Sequence, residues 1–197
     1  MKQQPAKSVA LEFLSQLRDI HTLIEVTDRN GANQAFDAGM ATAIARVVSC
    51  SRRKNKVIFI GNGGSAAIAS HQAVDYWKNG GIAAIAFNDA SLLTCISNDF
   101  GYDRVFAEPL LRFASAGDLL IAISSSGKSA NILSAVAAAR EKGCEVITLS
   151  GFSEINPLRK EGEVNFYVPS LSYGIVEVSH LTILHAMLED IMAGTGK

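Results

Sequence analysis

His71 and Asp75 stand four residues apart in a helically patterned stretch, a spacing that puts an imidazole and a carboxylate on one helix face. Near the carboxyl end, Glu177, His180 and His185 interrupt a segment that is otherwise apolar almost all round. Burying such groups unpaired is costly, so each calls for a partner. Imidazole and carboxylate are ligand types suited to zinc or another divalent ion, and they also serve as general acids and bases. His71, Asp75, Glu177 and His185 are therefore the candidates for metal binding or proton transfer. His180 reads as a core histidine with a satisfied ring, and His21, inside the first helical pattern, has no better claim. Spacing alone does not bring the two segments together.

Two turns point instead to an anion: Gly61-Asn62-Gly63-Gly64-Ser65 and Ser124-Ser125-Ser126-Gly127-Lys128-Ser129. Each runs from an apolar strand pattern into a helical one. A helix start leaves backbone N–H groups unpaired and carries partial positive charge, glycines allow close approach, and serine hydroxyls can donate. Lys128 reads as a solvated first-turn side chain. Simple capping by Ser65 or Ser129 would explain one turn but hardly the whole of 124–129. Gly61-x-Gly63-x-x-Ala66 also satisfies a loose dinucleotide fingerprint, with Asp89 as the ribose-binding acid, although Asp89 lies beyond the usual spacing of about 20 residues. The stretch 122–129 is a near miss to a nucleoside triphosphate loop, with alanine in place of its first glycine.

The positioning elements follow from periodicity. Apolar residues at helical spacing predict one helix over about 6–28 and a second through Ala41, Ile44, Ala45, Val47 and Val48. Five short strands are expected at 56–60, 82–86, 119–123, 145–149 and 164–168, most of them separated by helical patterns. Strands apolar at nearly every position, alternating with helices, imply a parallel sheet covered on both faces, with ligands at the strands' carboxyl ends. Both turns fall there. A last helix over about 173–192 should be buried by the domain or by another subunit.

Composition narrows the function classes. At 197 residues and 48% hydrophobic content the chain fits one domain, with helices over 1–55 and an α/β core over 56–197. A formal charge of -1 gives no field to recruit nucleic acid or an anionic membrane, and Arg52-Arg53-Lys54 reads as a helix end. Cys50, Cys95 and Cys144, odd in number and widely spaced, suit reduced thiols in a cytoplasmic protein. Met1-Lys2-Gln3-Gln4-Pro5 lacks a signal peptide's apolar stretch, and no run reaches membrane-spanning length.

Taken in order, 61–65 followed by His71, then Ser97-Asn98-Asp99-Phe100-Gly101-Tyr102, then 123–131 resemble the sugar isomerase (SIS) domain family. Within it the chain is similar to the branch that isomerises phosphorylated heptoses, across nearly its whole length. The resemblance implies an α/β three-layer sandwich, a five-stranded parallel sheet flanked by helices with further helices at the amino end. It implies a homotetramer with sites between subunits and conversion of sedoheptulose 7-phosphate to a D-glycero-D-manno-heptose 7-phosphate for bacterial surface-glycan precursors. By position, Asn62, Gly63, Gly64, Ser65, Asn98 and Asp99 would line the sugar phosphate, and Ser124, Ser125, Ser126 and Ser129 would hold its phosphate. His71, Asp75, Glu177 and His185 would hold zinc or another divalent ion, with Glu177 also facing substrate and Asp75 and His185 moving protons. A non-catalytic SIS regulator of the kind that associates with a replication initiator, and a sugar-phosphate-sensing module, are the alternative readings.

Two positions and one segment depart from the family pattern. Asp75 stands where glutamate is usual, one methylene shorter, and a misplacement of about 1 Å can cost roughly a hundredfold in rate. Glu177 replaces glutamine, which should strengthen divalent-metal binding and make the site more negative. The segment Tyr76-Trp77-Lys78-Asn79-Gly80-Gly81 is shorter than its family counterpart, so the site mouth should differ.

Overall fold

The computed structural model describes residues 8–195; the predicted helical residues 6 and 7 and the stretch 1–5 lie outside the described residues. The apolar strands become β3 (Val57–Gly61), β4 (Ala84–Ala86), β5 (Leu119–Ser124), β6 (Glu145–Gly151) and β7 (Val164–Val168), all parallel to one another. They are predominantly apolar and almost wholly buried because both faces are covered. Val57, Phe59, Leu119 and Ile121 pack under α1 (Val9–Ile20), α2 (Phe36–Arg52), α3 (Gly64–Lys78) and α7 (Tyr173–Thr195). The intervening Ile58, Ile60, Leu120 and Ala122 pack against α4 (Ala90–Phe100), α5 (Ala107–Phe113) and α6 (Ala130–Glu141). These are the three expected layers.

The sheet has seven strands rather than five, in the order β2-β1-β7-β6-β5-β3-β4. The two additional strands, β1 (Glu25–Asp28) and β2 (Asn33–Gln34), form a hairpin whose first strand pairs antiparallel with β7. The first helix accordingly stops at Ile20, followed by a short 3₁₀ turn over His21–Leu23. Tertiary pairing overrides the local helical period here. Asn165 on β7 donates to the carbonyls of Thr27 and Asp28, both at 3.2 Å. Val26, 1% exposed, fills the space above Gly39 so closely that a Cβ there would lie 2.4 Å from its Cγ1. Asp28 Oδ1 closes the turn by accepting the N–H groups of Asn30 and Ala32.

Strand order locates the ligand site. From β3 the chain steps outward to β4, then returns to the other side of β3 for β5 and continues to β6 and β7. The direction of winding therefore reverses between β3 and β5, and the crevice at such a reversal is where open α/β sheets bind ligands. Both glycine- and serine-rich turns leave the sheet at this point.

Helices α3 and α7 run alongside each other in the same direction: Gly64 lies against Glu177, Asp75 near His185 and Gly80 against Leu188. Tyr76 fixes their separation. It is fully buried, its ring packs edge-on against Phe59 at 5.0 Å between centroids, and its hydroxyl donates to the Leu184 carbonyl at 3.4 Å.

Candidate active site

The two turns form the walls of one cleft of about 270 Å³, lined by Asn62, Gly63, Gly64, Ser65, Ser124, Ser125, Ser126, Ser129, Tyr173 and Glu177. Their hydroxyls are not consumed by helix capping. Gly63, with φ 55°, is the N-cap of α3, and Ser129, the N-cap of α6, makes no side-chain cap bond. Ser129 Oγ instead faces Ser124 Oγ at 3.3 Å, and Ser125 Oγ is buried without a partner among the described residues. A buried unpaired hydroxyl, neighbouring serine hydroxyls and fresh helix starts at one point suit a phosphate. Asp89, by contrast, caps α4 by accepting the Leu92 N–H at 3.0 Å, which accounts for that carboxylate without a ribose.

Asn62, one of the predicted residues, joins side chains outside that set in holding this cleft in shape. Asn62 and Asn131 exchange a reciprocal pair of amide hydrogen bonds, 2.9 and 2.8 Å, tying the β3 turn to the start of α6. Tyr102 adds a third bond by donating to Asn62 Oδ1 at 3.1 Å. Under the serine turn, the fully buried Asn156 donates to Ser150 Oγ and to the carbonyls of Gly151 and Ser153. Tyr173 enters the wall through an edge contact with Phe152, 4.7 Å between centroids. Asn62, Tyr102 and Asn131 lie in the motifs noted in the sequence without a bracing role assigned, whereas Asn156 and Tyr173 have no spacing signal relative to the turns and are revealed by the folded chain.

Along the same helix pair, His71, Asp75 and His185 converge, each offering one ligand atom within 4.8 Å of the others. Asp75 Oδ2 lies 3.2 Å from His71 Nε2 and 3.8 Å from His185 Nδ1, and the two imidazoles meet edge-on at 5.4 Å. Two imidazoles and a carboxylate are a donor set that fits a zinc-like ion with a position left over. Glu177 stands apart from this trio, two helical turns earlier on α7, in the wall of the serine cleft. Asn98 and Asp99 are not among the cleft residues either. Both are exposed on α4, where Asn98 borders a separate hollow with Leu93, Thr94, Ser97 and Tyr102 and donates to Asp99 Oδ1 at 2.8 Å.

His180 sits in the core, but only half of its ring is satisfied. Its Nε2 donates to the Ser150 carbonyl at 3.1 Å, while Nδ1 has no partner among the described residues. Burial pushes its pKa down to about 4, against a smaller opposing effect from the Ser150 hydrogen bond. The folded protein therefore keeps His180 neutral where the unfolded chain takes up a proton. Its stability is expected to fall as pH drops from about 6.5 to about 4, by about 1.4 kcal/mol per pH unit from this group. Melting temperatures between pH 7.5 and 4.5 check this: His180→Gln should flatten the acid slope, and an unaltered slope would exonerate this residue.

Comparison with known proteins places the chain in a family. The sequence model of the SIS domain matches residues 21–151. Phosphoheptose isomerase from Pelobacter propionicus is 34% identical over 184 residues, covering 90% of this chain and 94% of the relative. The chain belongs to the SIS domain family. Among SIS structures, phosphoheptose isomerase from Neisseria gonorrhoeae superposes with a TM-score of 0.78 at 33% identity, covering 93% of this chain and 97% of that one. Phosphoheptose isomerase from Francisella tularensis gives a TM-score of 0.80 at 26% identity, covering 92% and 95%. The structural likeness thus reaches beyond residue 151, where the match to the sequence model ends.

Proposed function

We propose that the chain is an aldose-ketose isomerase of sugar phosphates that converts sedoheptulose 7-phosphate to D-glycero-D-manno-heptose 7-phosphate. The observation that carries this reading is that the serine cleft and the His71–Asp75–His185 trio open along the same parallel helix pair. The helical rise from Gly64 to His71 is about 10 Å, the scale of an extended sugar phosphate with its phosphate at one end and its carbonyl at the other. A pure sensor or regulator would have no use for the second end.

In this reading Ser124, Ser125, Ser126 and Ser129 hold the phosphate, while Asn62, Gly63, Gly64 and Ser65 shape the approach to it. Asn98 and Asp99 would contribute only at the outer rim. Asp75 takes a proton from C1 of the ketose as the C2 oxygen gains one, giving an enediol. O1 then loses its proton and C2 receives one, which completes the aldose without any redox partner. His185 moves the proton between the two oxygens. His71, Asp75 and His185, with Glu177 as a more distant contributor, would hold zinc or another divalent ion, whose chemistry is to polarise the carbonyl.

We also infer one SIS domain over residues 1–197, assembled as a homotetramer with sites between subunits. Supporting this are the exposed Val9, Leu11 and Leu14 on α1, and Val74, Trp77 and Val178 on the helices that carry the trio. Supply of surface-glycan precursors in the cytoplasm follows from the same reading. The free thiols of Cys50, Cys95 and Cys144 fit a reducing compartment. None of the helices among the described residues is long and apolar enough to cross a membrane.

An NMR time course with zinc-supplemented protein and sedoheptulose 7-phosphate in deuterated water tests the proposal. The expected product is an aldose heptose phosphate carrying solvent deuterium at C2, with sedoheptulose lacking the phosphate left unchanged. Absence of both product and exchange would reject it.

A further inference from the structure

The wall of the serine cleft contains one formal charge, and it is negative. Glu177 is the only ionisable carboxylate, lysine or arginine among the cleft residues, and it lies where a phosphate must enter. Its carboxylate rests against the first residue of α3: a Cβ placed on Gly64 would lie 2.5 Å from Cδ and from both carboxylate oxygens of Glu177. Among the described residues no hydrogen bond or ion pair engages this carboxylate. The amino end of α3 is thus already faced by an anion, leaving the serine turn before α6 as the vacant helix start.

Two anions in one small cleft repel each other, the more so because the wall supplies neutral donors rather than cations. Two turns further along α7, however, lies the trio that suits a divalent cation. We propose that Glu177 makes cation and sugar-phosphate binding interdependent, its charge opposing the phosphate until a divalent ion offsets it. This rests on the sugar-phosphate reading of the cleft. A glutamine here would keep the shape and hydrogen-bonding reach but lose the charge. The metal-loaded protein is therefore the form that binds substrate more tightly.

Calorimetric titration of sedoheptulose 7-phosphate into chelator-stripped and zinc-loaded protein, at one ionic strength, tests the coupling. Stripped Glu177→Gln should bind about tenfold more tightly than the stripped parent, and zinc should improve affinity about tenfold more in the parent than in the variant. By linkage, the sugar phosphate must raise the parent's zinc affinity by the same factor that zinc raises its own. Glu177→Asp, which keeps the charge, should retain the coupling, and matched melting temperatures would show that all the proteins are folded. Equal zinc dependence in parent and Glu177→Gln overturns the inference while leaving the function intact. Absence of sugar-phosphate binding by every form overturns the functional reading and the inference with it.

Discussion

Alanine at His185 is expected to lower kcat for sedoheptulose 7-phosphate by roughly a thousandfold, within the range assigned to a positioned acid-base group, without unfolding the protein. The imidazole is 39% exposed and meets the His71 ring and the Asp75 carboxylate, so its loss opens no core cavity. Asp75→Asn should be as damaging for a different reason. It keeps the shape of the side chain, including the acceptor for the Asn79 amide at 3.3 Å, but an amide cannot take the C1 proton. Steady-state kinetics on both variants, alongside thermal melting, decides the matter. A folded His185→Ala enzyme with near-parental kcat would remove His185 from the mechanism, and the same result for Asp75→Asn would move the base elsewhere.

Gly127→Ala is expected to collapse the phosphate turn. Gly127 has φ +62°, a conformation unfavourable to residues with a Cβ, and an added Cβ would lie 1.9 Å from Asn156 Oδ1. The asparagine could escape only by disturbing its bonds to Ser150, Gly151 and Ser153 and the Arg159 N–H that its Oδ1 accepts. Backbone strain and broken buried hydrogen bonds together predict a loss of roughly 3 kcal/mol or more in urea unfolding. Sugar-phosphate affinity should fall by at least about tenfold, because the Gly127 N–H also fixes Ser124 Oγ at 3.2 Å. An unchanged unfolding midpoint would mean that Asn156 is not the rigid support its burial implies.

The parallel core was legible because its signal is local: β7 occupies the predicted 164–168, and β3, β5 and β6 start within one residue of their expected positions. The hairpin was not, since Leu23 and Ile24 extend a helical period and β2 is only two residues long. Its stability comes from pairing with β7, about 140 residues away in sequence, which no local pattern encodes. The same division runs through the site. His71 and Asp75 lie one turn apart and could be paired from spacing, whereas the approach of His185 depends on how Tyr76 docks α3 on α7. Glu177 and His185 share a helix, yet two turns of rise carry Glu177 to the other end of the groove. Asn62 sat within a recognised turn, but its bonds to Asn131 and Tyr102 join three separate segments.

The hairpin bears on how the protein keeps to itself. A parallel sheet ending at β7 would present a largely apolar five-residue strand with unmatched backbone donors and acceptors, a template for recruiting other chains. β1 takes up that valence in the opposite direction, and β2 ends the sheet with only Asn33 and Gln34. The other margin, β4, is just three residues long. Sheet growth is therefore arrested on both sides, and any association between copies is left to helix faces, where it can close into a finite assembly rather than extend into a fibre.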